Sequence, residues 1–153
     1  MGQEIERKFL VKDMSFKDMS YAVRKITQGY LVQANGWSVR IRLTDVEGVL
    51  TIKGPGNETG VSRYEFNQVI PMEDAREMLA KCSGNLIEKC RYLVDFKGHL
   101  FEVDEFYGNN QGLIIAEIEL EREDEPFEKP AFLGEEVTGI PCYYNSYLAQ
   151  HSK

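Results

Sequence analysis

Apolar and polar side chains alternate with a period of two along most of this chain. In "QEIERKFLV" (3–11), Ile5 and Phe9 take one face while Glu4, Glu6 and Lys8 take the other. "WSVRIRL" (37–43) sets Val39, Ile41 and Leu43 against Arg40 and Arg42, and "VLTIKG" (49–54) sets Leu50 and Ile52 against Thr51 and Lys53. "VSRYEFN" (61–67) opposes Tyr64 and Phe66 to Arg63 and Glu65. "IEKCRYLV" (87–94) opposes Cys90 and Tyr92 to Lys89 and Arg91. The pattern returns in "HLFEVDEF" (99–106), with Phe101 and Val103 against Glu102 and Asp104, and in "IAEIELE" (115–121), with Ile118 and Leu120 against Glu117 and Glu119. Period-two alternation in so many short segments predicts antiparallel strands. An eighth strand is predicted over "KITQGYLVQ" (25–33), where the alternation is less clean.

Turn signals separate the runs. "ANG" (34–36), "DVEG" (45–48) and "FKG" (96–98) read as hairpin connections, and "GPGNETG" (54–60) as a longer, mobile loop. Two helices are predicted. "PMEDAREMLAKC" (71–82) opens on proline, carries acids in its first turn and ends near Lys81, all helix-favouring placements. A second, short helix is predicted over 143–151, after "GIP". The expected class is mainly β (α+β). Nothing marks an internal boundary, so residues 1–153 read as one domain.

The charged faces are sorted. Acids dominate the first strand and the last two, and bases dominate 37–43, 49–54 and 87–94. A single alternating strand ordinarily shows its charged face to water, and a solvated surface tends to mix signs. Here the opposite faces are large and apolar, and only two helices are available to cover them. About eight antiparallel strands suffice to close a barrel. Closed with the charged faces inward, the barrel holds acids along one wall and bases along the other. Glu4 and Glu6 leave one face about 6–7 Å apart, as do Glu117 and Glu119, and carboxylates on that scale can share a hard cation. Arg40, Arg42, Lys53, Lys89 and Arg91 offer donors suited to phosphate oxygens. The site expected is one for a metal-chelated polyphosphate, with the isoleucine of each Glu-Ile-Glu unit facing the packing side.

Composition narrows the classes further. At 42% hydrophobic and 28% charged, the chain has an ordinary soluble globular make-up rather than a disordered one. A net charge of -7 argues against bulk nucleic-acid or membrane-surface binding. No apolar run approaches a membrane span, no signal-peptide core is present, and Glu6 stands where an N-myristoylation signal wants Ser or Thr. Cys82, Cys90 and Cys142 form no C-x-x-C pair and read as reduced thiols of a cytoplasmic protein. There is no Walker A loop and no Ser-His-Asp or Cys-His nucleophile set.

The residues resemble a known family. "EIERKF" is similar to the E-x-E-x-K signature of the CYTH superfamily, the triphosphate tunnel metalloenzymes, and is followed in order by "QGYL", "VRIR", "TIKG", "RYEF", "EKCRY", "EVDEF", "AEIELE" and "EEVTG…YYNSYLA". The series covers nearly the whole chain and is closest to short, single-domain bacterial members. The resemblance implies an eight-stranded antiparallel tunnel and hydrolysis of inorganic, nucleoside or thiamine triphosphates, with cyclic AMP formation in a few members. It implies Mg2+ or Mn2+, two ions, held by Glu4, Glu6, Asp104, Glu117 and Glu119. Lys8, Arg40, Arg42, Lys53, Lys89 and Arg91 would grip phosphate, and Lys8 would pair with Tyr30 of "QGYL". One departure stands out: "VTGIPCYYN" has no arginine where many members carry a basic residue before Tyr-Asn.

Several residues carry plainer readings beside these. Arg63 and Glu65 share a face and read first as a cross-tunnel ion pair, with a phosphate contact for Arg63 second. Tyr30 reads equally as a packing aromatic, Trp37 as packing, and His99 and His151 as surface residues. "EREDEPFEKP" (121–130) reads as a solvated acidic loop. The leading function is divalent-metal-dependent hydrolysis of inorganic triphosphate. The alternatives are a class IV-type adenylate cyclase, a thiamine or nucleoside triphosphatase, and a module that binds polyphosphate without turnover. The expected partner is a small-molecule triphosphate, with no nucleic acid and no membrane. A homodimer is left open.

Overall fold

The computed structural model describes residues 3–151. In chain order it contains β1 (Gln3–Val11), α1 (Phe16–Met19), β2 (Ala22–Ala34), β3 (Trp37–Leu43), β4 (Gly48–Gly56), β5 (Ser62–Ile70), α2 (Met72–Ala80), β6 (Ser83–Phe96), β7 (His99–Phe106), β8 (Ile114–Glu119), β9 (Leu133–Glu136) and α3 (Asn145–Gln150). The strands follow one another as β5-β4-β3-β2-β6-β7-β8-β1, and β1 pairs back onto β5 to close the ring. Every pairing is antiparallel. The eight expected strands thus form a closed barrel, and β9 adds to the outer half of β1.

Alternation decides which way each face points. Glu6 lies opposite Glu119 and Lys8 opposite Glu117. Arg42 lies opposite Gln28 and Arg91 opposite Asp104. Residues directly paired in this way share a face, so the charged side chains line the interior and the barrel's main apolar packing is outside. One outer cluster gathers Phe9, Phe101, Val103, Ala116, Ile118 and Phe132 under α1 and the segment leading into β9. Phe16 of α1 enters it edge-on to Tyr92 and Phe132. A second cluster seats Ala75 and Leu79 of α2 on Ile41 and its neighbours. The isoleucines of both Glu-Ile-Glu units join the first cluster, Ile118 fully buried and Ile5 partly.

The inner face is not charged throughout. Ile87, Phe106 and Ile115 turn inward at one end and pack with Tyr30 against Leu148 and Ala149 of α3. The short C-terminal helix therefore stoppers the barrel with an apolar plug.

Local chemistry accounts for the elements that differ from expectation. β2 runs over 22–34 with register shifts on both sides of Gly29–Leu31, and a bulge there breaks the alternation that was unclear in the sequence. A side chain at Gly29 would meet Leu86 Cδ2 at 2.7 Å and Cys82 Sγ at 2.9 Å, so glycine lets β2 approach the end of α2. In the turns at Asn35-Gly36 and Lys97-Gly98 both residues have positive φ, as two-residue hairpins of the tightest type require. The loop after β4 is tied down rather than free: Asn57 Nδ2 and Ser62 Oγ both donate to Glu123 Oε2 at 2.6 Å. The 121–130 loop is mostly exposed, as expected, and these bonds tie it back to the barrel. His99 is half-buried and meets Glu125 at 2.7 Å, and Phe127 packs on the outer cluster. No helix among the described residues is long and apolar enough to cross a membrane.

The plug depends on one glycine. Gly84 has φ +73° and a Cβ there would overlap the Ala149 carbonyl oxygen. Gly84→Ala is therefore expected to cost roughly 1–3 kcal/mol through backbone strain and displacement of α3. Urea unfolding measures this, and wild-type stability in the variant would contradict the seating of the plug.

Candidate active site

A cavity of about 220 Å³ occupies the barrel above the plug. β1 contributes Glu4, Glu6 and Lys8, β3 contributes Arg40 and Arg42, and β4 contributes Lys53. Arg63 enters from β5, Arg91 from β6, and Glu117 and Glu119 from β8. Tyr30 also lines the cavity, its ring shared with the plug cluster. Lys89 and Asp104 do not line it. They point inward nearer the plug, where Asp104 accepts two bonds from Arg91, at 2.8 and 2.9 Å, and a third contact from Lys89 at 2.8 Å.

Ion pairs hold part of this lining. Lys8 Nζ is bonded to Glu117 Oε2. Lys53 Nζ lies 3.0 Å from Glu4 and 3.7 Å from Glu65. The expected Arg63–Glu65 pair does not form. Arg63 is drawn to Glu4, 3.5 Å away and directly opposite it where β5 closes onto β1, while Lys53 takes Glu65 from the facing position on β4.

Four charges are left over. Among the described residues, Arg40 and Arg42 have no carboxylate partner, and Glu6 and Glu119 have no cationic one. Arg40 reaches Thr51 at 3.3 Å and its Nε is buried without a partner. Burial, then the neighbouring charges of Arg40 and Arg91, pull the Arg42 guanidinium down to about 9. Burial, then the Glu117 charge, pushes Glu6 up to about 7. Partial burial, then Glu4 and Glu65, pushes Glu119 up to about 7 as well. The paired acids behave oppositely. Burial disfavours the charged form of Glu117, but Lys8 and Arg91 outweigh it and hold the group well below the usual carboxylate range. Arg91 and Lys89 likewise overcome burial at Asp104.

One wall therefore calls for an anion and the other for a cation. Glu6 and Glu119 face each other across β1 and β8, an arrangement of hard oxygen donors that suits a divalent ion. Among the described residues no three acidic, histidine or cysteine side chains already stand close enough to hold one. Lys8 and Lys53 instead engage two of the acids. The donor set fits a divalent cation in charge and atom type, at Glu6 and Glu119 above all.

Three contributors went unassigned at the sequence level. The ring standing over Lys8 Nζ, at 4.6 Å, is that of Tyr144, whose hydroxyl accepts a bond from Gly139 N–H at 2.8 Å. Asn145 and Gln28 form a hydrogen-bonded link beneath the arginines. Both Tyr144 and Asn145 lie within "YYNSYLA", so the motif was visible while the direction of its side chains was not. Trp37 is about half exposed and leans on Tyr64 at a centroid distance of 5.9 Å.

Fold and site together define a closed β-barrel tunnel with an acid wall, a basic wall and a stoppered end. The chain belongs to the CYTH domain family, whose model matches residues 2–144; its triphosphatases are metal-dependent. It is 45% identical over 152 residues to an inorganic triphosphatase of Acetivibrio thermocellus, covering 99% of this chain and 96% of that one. It is 36% identical over 152 residues to an inorganic triphosphatase of Nitrosomonas europaea, covering 95% and 96%. Among solved structures it is similar to the crystal structure of an inorganic triphosphatase, with a TM-score of 0.69 and 32% identity over 97% and 95% of the two chains. A protein from Pyrococcus horikoshii shares the fold at 18% identity, with a TM-score of 0.64 over 78% of this chain and 80% of that one.

The unpaired carboxylate sets a pH signature. Glu6 titrates near 4.5 when unfolded and near 7 when folded. Folding is thus unaffected by this group below pH 4.5, is opposed increasingly as pH rises to about 7, and is opposed in full above it. In metal-free protein, Glu6→Gln should be more stable than wild type by roughly 1–3 kcal/mol at pH 8 and no more stable at pH 4. Urea unfolding at the two values checks this, and an equal or weaker variant at pH 8 would contradict it.

Proposed function

We propose that this chain hydrolyses inorganic triphosphate to phosphate and diphosphate with the help of divalent cations. The observation that carries the reading is the set of four unpaired charges, Arg40 and Arg42 facing Glu6 and Glu119 within one tunnel. A metal-chelated polyphosphate supplies both missing partners at once. The resemblance to two inorganic triphosphatases along nearly the full chain supports the same substrate.

The ions proposed are Mg2+ or Mn2+, two of them, held by Glu4, Glu6, Glu117 and Glu119. Bound there, they would neutralise phosphate charge and supply an activated water. Asp104 supports this set through Arg91 rather than from the cavity wall. The chain's own residues do the rest. Arg40 and Arg42 bind non-bridging oxygens of the phosphate chain, and Lys53, Arg63 and Arg91 extend the grip along its length. Lys89 supports Arg91 through Asp104 from the plug side. Lys8, held by Glu117, donates to the oxygen that gains charge as the anhydride bond breaks. Tyr30 lines the same end and, with the α3 plug, keeps bulk water from reaching the chain there. Transfer of the terminal phosphoryl group needs in-line attack and charge neutralisation but no covalent enzyme intermediate, and among the described residues no serine or cysteine lines the cavity beside a general base. Nothing in the cavity favours cyclisation of ATP.

Because binding comes from phosphates, inorganic triphosphate should show a higher kcat/KM than ATP, and pyrophosphate should be poor. Steady-state phosphate release with each, at saturating metal, checks this. A clear preference for ATP, or cyclic AMP as main product, would overturn the reading.

Side-chain truncation sorts the roles. Glu6→Gln and Glu119→Gln should each abolish most turnover with the fold intact. Arg42→Ala should cost roughly 2–4 kcal/mol in kcat/KM, since it removes a desolvated charge partner. Near wild-type metal-dependent rates in any of the three variants would refute its assigned role.

A further inference from the structure

Beneath the basic wall runs a chain of polar groups whose hydrogen-bond directions are forced. Burial pulls the Lys89 amine down to about 7, against which the Asp104 carboxylate 2.8 Å away favours its charged, donating form. Its Nζ donates to Asn145 Oδ1 at 2.9 Å. That fixes which atom of the Asn145 amide is oxygen. Gln28 must then donate, and its Nε2 lies 3.1 Å from the same Oδ1. Gln28 Oε1 is thereby turned to Arg42, whose Nε donates to it at 2.9 Å. Arginine can only donate, so both ends of the relay agree. Gln28 and Lys89 are almost wholly inaccessible to solvent, and neither has freedom to reorient without leaving a buried polar atom unmet.

Asn145 is the joint of this relay. It sits in the first turn of α3, and α3 is anchored by Leu148 and Ala149 in the apolar plug. Gln33 Nε2 adds a bond to the Ser146 carbonyl at 3.1 Å. Asn145 itself lines the cavity. Its Oδ1 is engaged twice, whereas Nδ2 has no partner among the described residues. A neutral donor thus stands beside the phosphate site just after the stretch where a basic residue was expected and is missing.

We infer that Asn145 is a positioning residue for Arg42, acting through Gln28, and that its Nδ2 is an additional donor to the bound triphosphate. Arg42 carries a charge with no acid to hold it in place. Gln28 orients the guanidinium without neutralising it, and Asn145 orients Gln28. The full strength of the cation stays available to phosphate. An acid in the place of Gln28 would hold Arg42 equally well but would cancel that charge. The missing arginine before Tyr-Asn is on this account offset by geometry rather than by another cation. The inference rests on the triphosphate reading of the site.

The test is calorimetric affinity for inorganic triphosphate without metal, together with metal-dependent hydrolysis and thermal stability. The proteins are wild type, Gln28→Ala, Asn145→Ala, Asn145→Asp and the two double variants. Asn145→Ala should weaken binding roughly 10- to 100-fold, the size of one or two hydrogen bonds to a charged group. Gln28→Ala added to Asn145→Ala should cost little more, because the relay is already broken. Added to Asn145→Asp, which keeps the acceptor oxygens, Gln28→Ala should cost as much as it does alone. Independent, multiplicative effects of Gln28→Ala and Asn145→Ala would overturn the positioning role. A fall in melting temperature in Asn145→Ala with unchanged affinity and kcat would show a purely structural plug and overturn both roles. Gln28→Ala leaves the α3 side chains intact, so the arginine end of the relay is read even if α3 variants fold poorly. Wild-type protein that binds triphosphate without hydrolysing it would refute the functional reading, and the affinity cycle would still judge Asn145.

Discussion

Charge without a partner inside a closed barrel is the constraint on which the rest of this structure turns. Most ionic groups in the lining are matched: Lys8 with Glu117, Lys53 with Glu4, Arg91 with Asp104. Arg40, Arg42, Glu6 and Glu119 are not. Partial desolvation makes each of them costly, and proximity to like charge makes the cost larger. The raised carboxyls of Glu6 and Glu119 and the lowered guanidinium of Arg42 are the marks of that cost. A ligand carrying both signs would relieve all four, and that is the physical basis of the selectivity proposed for a metal-chelated polyanion.

To keep such an interior, the fold places its apolar packing elsewhere. Two outer clusters, one under α1 and β9 and one under α2, bury the faces that an ordinary barrel would turn inward. A third cluster, where Ile87, Phe106 and Ile115 meet α3, stoppers one end. The stopper also reaches the chemistry, since Asn145 projects from it into the same polar network as Arg42 and Lys89. The packing of the plug and the placement of the Arg42 guanidinium are therefore linked through one six-residue helix.

Much of this was legible in the sequence because a strand's two faces are read directly from odd and even positions. β1, β3 and β7 match their expected ranges residue for residue, and the inward and outward faces follow. The less regular stretch over 25–33 reflected a bulge, which shifts parity without leaving a compositional trace beyond Gly29. α1 and β9 are too short to show periodicity, and α1 exists because Phe16 has an aromatic pocket to enter. In the site, residue types were readable but partners were not. Arg63 and Glu65 share a face, yet β5 closes on β1, so Glu4 takes the arginine and Lys53 takes the glutamate. Lys89 and Asp104 have the expected parity but lie nearer the plug than the cavity lining. Tyr144 and Asn145 come from a segment with no regular alternation, and only the folded path shows that they meet Lys8 and Gln28.

The central claim is that the two walls are completed by one ligand pair acting together. It is tested most directly by the melting temperature of the protein at pH 8 with Mg2+ alone, with a non-hydrolysable triphosphate analogue alone, and with both. The two together should stabilise the protein by clearly more than the sum of their separate effects, since each neutralises the wall that repels the other. Purely additive shifts, or no shift with either, would contradict it.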